Sequence, residues 1–137
     1  MKHFAIAMVF CLSAANGFAQ CSAKRVSLRK EAHMSSAVVV ATVTGATPMK
    51  ETWDFLAGVN YTVRVNSKLH GKAHANSELT VFSENIPNNF EMYVGQQYVL
   101  YLQPKWGRNQ IDGCGNSRST DQVELAKQRK QGSADGF

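Results

Sequence analysis

Gln97-Tyr98-Val99-Leu100-Tyr101-Leu102 is the strongest strand signal in the chain. Aromatic and aliphatic side chains of this kind fit a pleated, half-buried surface. Pro104 is expected to close the strand, because proline cannot donate to a ladder. Just beyond, Trp106-Gly107-Arg108-Asn109 reads as a hairpin turn into Gln110-Ile111-Asp112, and Cys114 follows. Upstream, the β-branched run Ala37 to Thr44 predicts a strand buried on both sides at its start. Tyr61 to Asn66 alternates apolar and polar residues, as a half-buried strand does, and Leu69-His70-Gly71-Lys72 ends it. Leu79 to Phe82 is a fourth, short strand. Gly45 to Gly58, with Pro48, reads as one long loop, and Ser83 to Asn89 as another.

Helices flank this core. Val26, Leu28, Ala32 and Met34 line one side of a short helix within Ala23 to Ser36. Ser119 with Gln122 fits a capping box ahead of Val123 to Lys127. Five short strands, one long insertion and terminal helices predict a mainly β fold. The expected form is a small closed barrel, which removes the sheet edges that invite aggregation. An open sandwich is the competing geometry.

The first residues set the compartment. Met1-Lys2-His3 is a short basic start, Phe4 to Leu12 is almost wholly apolar, and Gly17 and Ala19 are the small residues a signal peptidase accepts. The apolar run is shorter than the roughly 20 residues that span a bilayer. Residues 1–19 therefore read as a signal peptide, and the working protein as exported, to the periplasm or outside the cell. No later apolar stretch is long enough for a transmembrane anchor. The chain has three cysteines. Cys11 leaves with the signal, and Cys21 and Cys114 in an oxidising compartment most simply form one disulfide. The formal net charge is +5, with Lys2 contributing one unit. In an exported protein this suits solubility or weak attraction to an anionic envelope surface better than nucleic acid.

Four features in order carry a resemblance. A cysteine lies just past the signal. A valine-rich strand (Ala37 to Val43) follows Ser35-Ser36. A Tyr-x-Val-x-Val strand then ends in Lys68-Leu69-His70-Gly71. Last comes Val94-Gly95-Gln96-Gln97-Tyr98-Val99-Leu100-Tyr101, followed by Cys114 and a short helix. Over about residues 21–130 this resembles the netrin-like module shared with tissue inhibitors of metalloproteinases, in its small bacterial form. The resemblance implies a five-stranded OB-type barrel with a packed helix, and a Cys21–Cys114 pairing. It also makes Cys21 the candidate inhibitory N-terminus, since the inhibitors chelate a protease's zinc through the amine and carbonyl of a first-position cysteine. Two departures stand against that mechanism. The cut after Ala19 leaves Gln20 in front of Cys21, and the Cys-x-Cys spacing is missing because position 23 is Ala.

The expected organisation is a signal at 1–19, one OB-type domain at 20–130 and a tail at 131–137. Catalytic constellations are not found: there is no Gly-x-Ser-x-Gly elbow, phosphate loop, zinc-type cysteine pair or nucleotide fingerprint. No cofactor, metal or enzymatic activity is expected. His70 and His74 have a metal-like spacing on a helix, but the turn signals around Gly71 favour a solvated loop. The binding candidates are Trp53, Asp54, Phe55 and Leu56 in the long loop, and Trp106 at the hairpin tip. Exposed loop aromatics are typical interface anchors. The competing role for the loop aromatics is to plug the barrel end. Lys24, Arg25, Arg29 and Lys30 read as a solvated face. The sequence points to a non-catalytic module that binds an exported or cell-envelope protein, a protease among the candidates. A metalloprotease inhibitor and a small metal-binding protein are the alternatives.

Overall fold

The computed structural model describes residue 21 and residues 25–124; the expected signal segment (1–19), Lys24, the rest of the expected helix (125–127) and the expected tail (131–137) lie outside the described residues. The elements are α1 (Leu28–Met34), β1 (Ala37–Lys50), β2 (Leu56–Gly71), β3 (Glu78–Glu84), β4 (Gln97–Lys105), β5 (Arg108–Gln110) and β6 (Arg118–Ser119). A helical turn follows from Thr120.

The strands form one ring in the order β1-β2-β3-β5-β4, closed by β4 pairing back to β1. Every pairing around the ring is antiparallel except β3 with β5, which is parallel. This is the expected five-stranded OB-type barrel, with β6 added against Tyr98 and Val99. The ring is uneven: β1 and β2 pair along nearly their whole length, whereas β3 and β5 share only Val81↔Asn109 and Phe82↔Gln110. Register shifts at Val38/Val39, Val40/Ala41 and Val43/Gly45 bend the β1–β2 ribbon, as bulges do, so that it can wrap.

Alternation fills the interior. Val39, Ala41 and Val43 of β1, Val63 and Val65 of β2, Val81 of β3, and Leu100 and Leu102 of β4 are essentially inaccessible. Each large side chain so buried contributes about 1.5–3 kcal/mol. Val38 is buried beside Val39, so the start of β1 is covered on both faces. Tyr61, Tyr98 and Tyr101 are buried too. The Tyr61 and Tyr98 hydroxyls accept the backbone N–H groups of Met92 and Tyr93.

Two expectations need correction. Gly45 to Gly58 is not a loop. β1 runs through it to Lys50, β2 starts at Leu56, and only 51–55 turns. This part of β1 is exposed and carries no apolar alternation; its pairing with β2 (Ala46↔Tyr61, Thr47↔Asn60, Pro48↔Val59) makes it a strand. Pro48 lies where β1 no longer pairs with β4, and proline on a free edge blunts unwanted strand addition. Likewise Pro104 does not close β4, which continues to Lys105. β1 leaves β4 after Leu102, so the missing N–H of Pro104 has no ladder to serve, and Pro104 sits opposite Asn109.

The Cys21–Cys114 disulfide is present, with Cα atoms 5.6 Å apart. Next to it, the buried Glu31 of α1 accepts the backbone N–H of Asn116 at 2.8 Å and also its side-chain amide. Gly115 leaves room for this contact: a Cβ there would fall 2.3 Å from a Glu31 carboxylate oxygen, which would have to shift. The expected cap holds at the C-terminal turn, where the Gln122 N–H reaches Ser119 Oγ at 3.4 Å.

Candidate partner-binding site

The β1–β2 tip is built by short-range hydrogen bonds. Glu51 N–H donates to Phe55 carbonyl oxygen at 3.0 Å, and Thr52 hydroxyl donates to the Asp54 carboxylate at 2.9 Å. Asp54 therefore shapes the turn. Trp53, 88 % exposed, stands at its apex, and Phe55 is half exposed beside it. Neither plugs the barrel end. Leu56 is the first residue of β2, partly buried, and its carbonyl accepts the Asn85 amide at 2.8 Å.

The β4–β5 tip is a two-residue hairpin of Trp106 and Gly107, with φ of 56° and 72°. Positive φ at both positions is what a type I′ turn requires, and Asn-Gly is its usual sequence. Trp106 holds a bulky side chain in a region that such residues avoid, at a cost of order 1 kcal/mol. It is 83 % exposed, so burial does not repay that cost. Sequence reading singled out the aromatic but not the strain.

Barrel closure places both tips on one groove of about 610 Å³. Met49 and Phe55 line one side, Trp106 the other, and Phe82, Ile86 and Arg108 lie between. Trp53 is not among the lining residues. The Arg108 guanidinium sits 4.4 Å from the Phe82 ring centroid, a cation–π stack. Phe82 can lie there because Gly58, across in β2, has no side chain; a Cβ at Gly58 would be 2.6 Å from the ring. A second hollow, of about 510 Å³, opens along Thr80, Pro104, Gly107 and Asn109, and shares Phe82 and Arg108. Glu84 receives the Gln110 amide at 3.2 Å and lies 4.0 Å from Lys105 Nζ. The groove thus combines apolar side chains with polar groups, Arg108, Glu84 and Gln110, already held in place, as small recognition sites do.

The other candidates fall elsewhere. Cys21 is exposed and joined to Cys114, and the residue before it lies outside the described residues. His70 does not meet His74 in a helix. It lies in β2, its ring edge-to-face with His33 of α1 at 5.8 Å between centroids, while His74 is in the following loop. Among the described residues no group of three or more His, Cys, Asp or Glu could hold a metal ion. No protein-family model matches the chain, and comparison with curated proteins finds no significant match, so the reading rests on the geometry above.

Proposed function

We propose that this chain is an exported, non-catalytic binding module of netrin-like type. Its groove between the β1–β2 and β4–β5 tips takes a protein partner of the cell envelope or the exterior. The observation that carries the reading is the meeting of Phe55 and Trp106, from tips distant in sequence, over one preformed floor, with Trp53 exposed at the apex of the first tip. Large aromatics at low conformational cost are the residues that dominate protein interfaces. Their exposure, and the strain kept at Trp106, are unfavourable for the isolated fold and intelligible in a complex. Export is supported by residues 1–19 and by the disulfide. Among the described residues no helix is long and apolar enough to cross a membrane.

The test compares the oxidised protein with a Trp53→Ala, Phe55→Ala, Trp106→Ala variant for binding to proteins of the exported fraction. A partner held by this groove is lost by tenfold or more, as truncation of interface anchors implies. A partner retained at full affinity by the triple variant rules the groove out.

A further inference from the structure

The barrel carries a second unpartnered surface at the other end of the β1–β2 ribbon. On α1, Arg29, Lys30 and His33 are exposed. At the end of β2, so are Lys68, His70 and Lys72. The fold joins these two runs. The His33 and His70 rings are in contact, and Lys72 N–H donates to the Ser36 carbonyl, two residues past α1, at 3.0 Å. The acidic residue within this region, Glu31, is buried and turned toward Asn116. Among the described residues none of the four Lys and Arg side chains forms an ion pair. Arg29, Lys30, His33, His70 and Lys72 thus share one positive face, whereas Lys68, paired with the core residue Val39, projects from the other side of the ribbon.

Apolar side chains lie within the same charged segments. Leu28 is 48 %, Met34 57 % and Leu69 59 % exposed. This combination selects the occupant. A polyanionic chain would neutralise the lysines and arginines but leave the apolar side chains in water. A bilayer interface satisfies both, since headgroup phosphates pair with the basic groups while the apolar side chains enter the headgroup–acyl boundary.

We propose that α1 and the end of β2 form a peripheral membrane-binding face that seats the protein on an anionic phospholipid surface. The seven-residue α1 is a contact and not an anchor, so the attachment is reversible and salt-sensitive. The fourteen residues of β1 separate this face from the hairpin tip, which leaves the groove directed away from the point of attachment.

Vesicle co-sedimentation tests this, using the oxidised chain recovered after processing of residues 1–19. Vesicles of phosphatidylethanolamine with phosphatidylglycerol should bind it, and phosphatidylcholine vesicles should not. Raising the salt should release it. A Lys30→Glu, Lys72→Glu variant should lose about tenfold or more in partitioning. A Leu28→Ser, Leu69→Ser variant should also weaken. All these positions are exposed, and unchanged circular dichroism secures the fold of each variant. Equal binding to neutral vesicles, no binding to anionic ones, full retention by the charge-reversed variant, or capture by a sulfated glycan without capture by vesicles would each overturn the proposal.

Discussion

The Arg108 guanidinium lies 4.4 Å above the Phe82 ring, and this pair forms the divide between the two hollows of the binding end. Phe82 is nearly buried and Arg108 is exposed, so the two contribute unequally. Arg108→Ala should cost about 0.5–1 kcal/mol, the usual size of an exposed cation–π contact. Phe82→Ala should cost about 3 kcal/mol or more. In a double-mutant cycle by urea unfolding, a coupling near the Arg108→Ala value is expected. Strict additivity would show that the stack does not stabilise the floor.

Trp106 separates stability from binding. Asparagine tolerates positive φ far better than tryptophan, so Trp106→Asn should raise stability by up to about 1 kcal/mol. The same change should weaken partner binding by tenfold or more. A destabilised variant would mean that the indole supports the fold.

Glu31 ties α1 to the segment after Cys114. Glu31→Ala leaves the buried Asn116 N–H without its acceptor, while the Asn116 amide keeps the Val26 carbonyl, at a cost of about 1–3 kcal/mol. Glu31→Gln keeps one acceptor and should cost less. Thermal melts of both variants check this; two losses within the range of an exposed substitution would contradict the role.

Tyr101 sets an alkaline limit. Burial pushes its hydroxyl above the usual value near 10, the Glu31 charge adds to the rise, and Arg118 partly offsets it. The unfolded chain therefore loses this proton at lower pH than the folded one. The stability from this group is complete below about pH 10 and falls as pH rises through the folded value. Tyr101→Phe should flatten the decline of unfolding free energy measured from neutral pH to about pH 11. An unchanged slope would assign the decline to other groups.

Much of the barrel was legible because burial imposes alternation. Val63 and Val65, or Leu100 and Leu102, could be assigned to a core face on spacing alone. The pairing of Cys21 with Cys114 was legible from the cysteine count, once Cys11 is assigned to the expected signal segment. The second half of β1 was not, since Thr47, Pro48 and Lys50 bury nothing there and the strand exists through its hydrogen bonds to β2. Pro104 misled for a related reason: its meaning depends on which edge β1 has vacated. For the site, Trp53, Phe55 and Trp106 stood out as exposed-loop aromatics. The meeting of Phe55 and Trp106 on one groove did not, because the parallel β3–β5 closure that brings the tips together rests on two residue pairs with no local signature. Nor did His33, whose contact with His70 links elements separated by the whole β1–β2 hairpin.

The most direct measurement introduces photo-reactive benzoylphenylalanine at Phe55 or at Trp106 and irradiates the protein in its native compartment. The account predicts one discrete adduct of the same mass from both positions, lost from the Phe55 probe by Trp106→Ala and from the Trp106 probe by Phe55→Ala, and none from Lys72 at the opposite end. No adduct from either tip, or the same adduct from Lys72 as from Trp106, would contradict a partner seated in the groove.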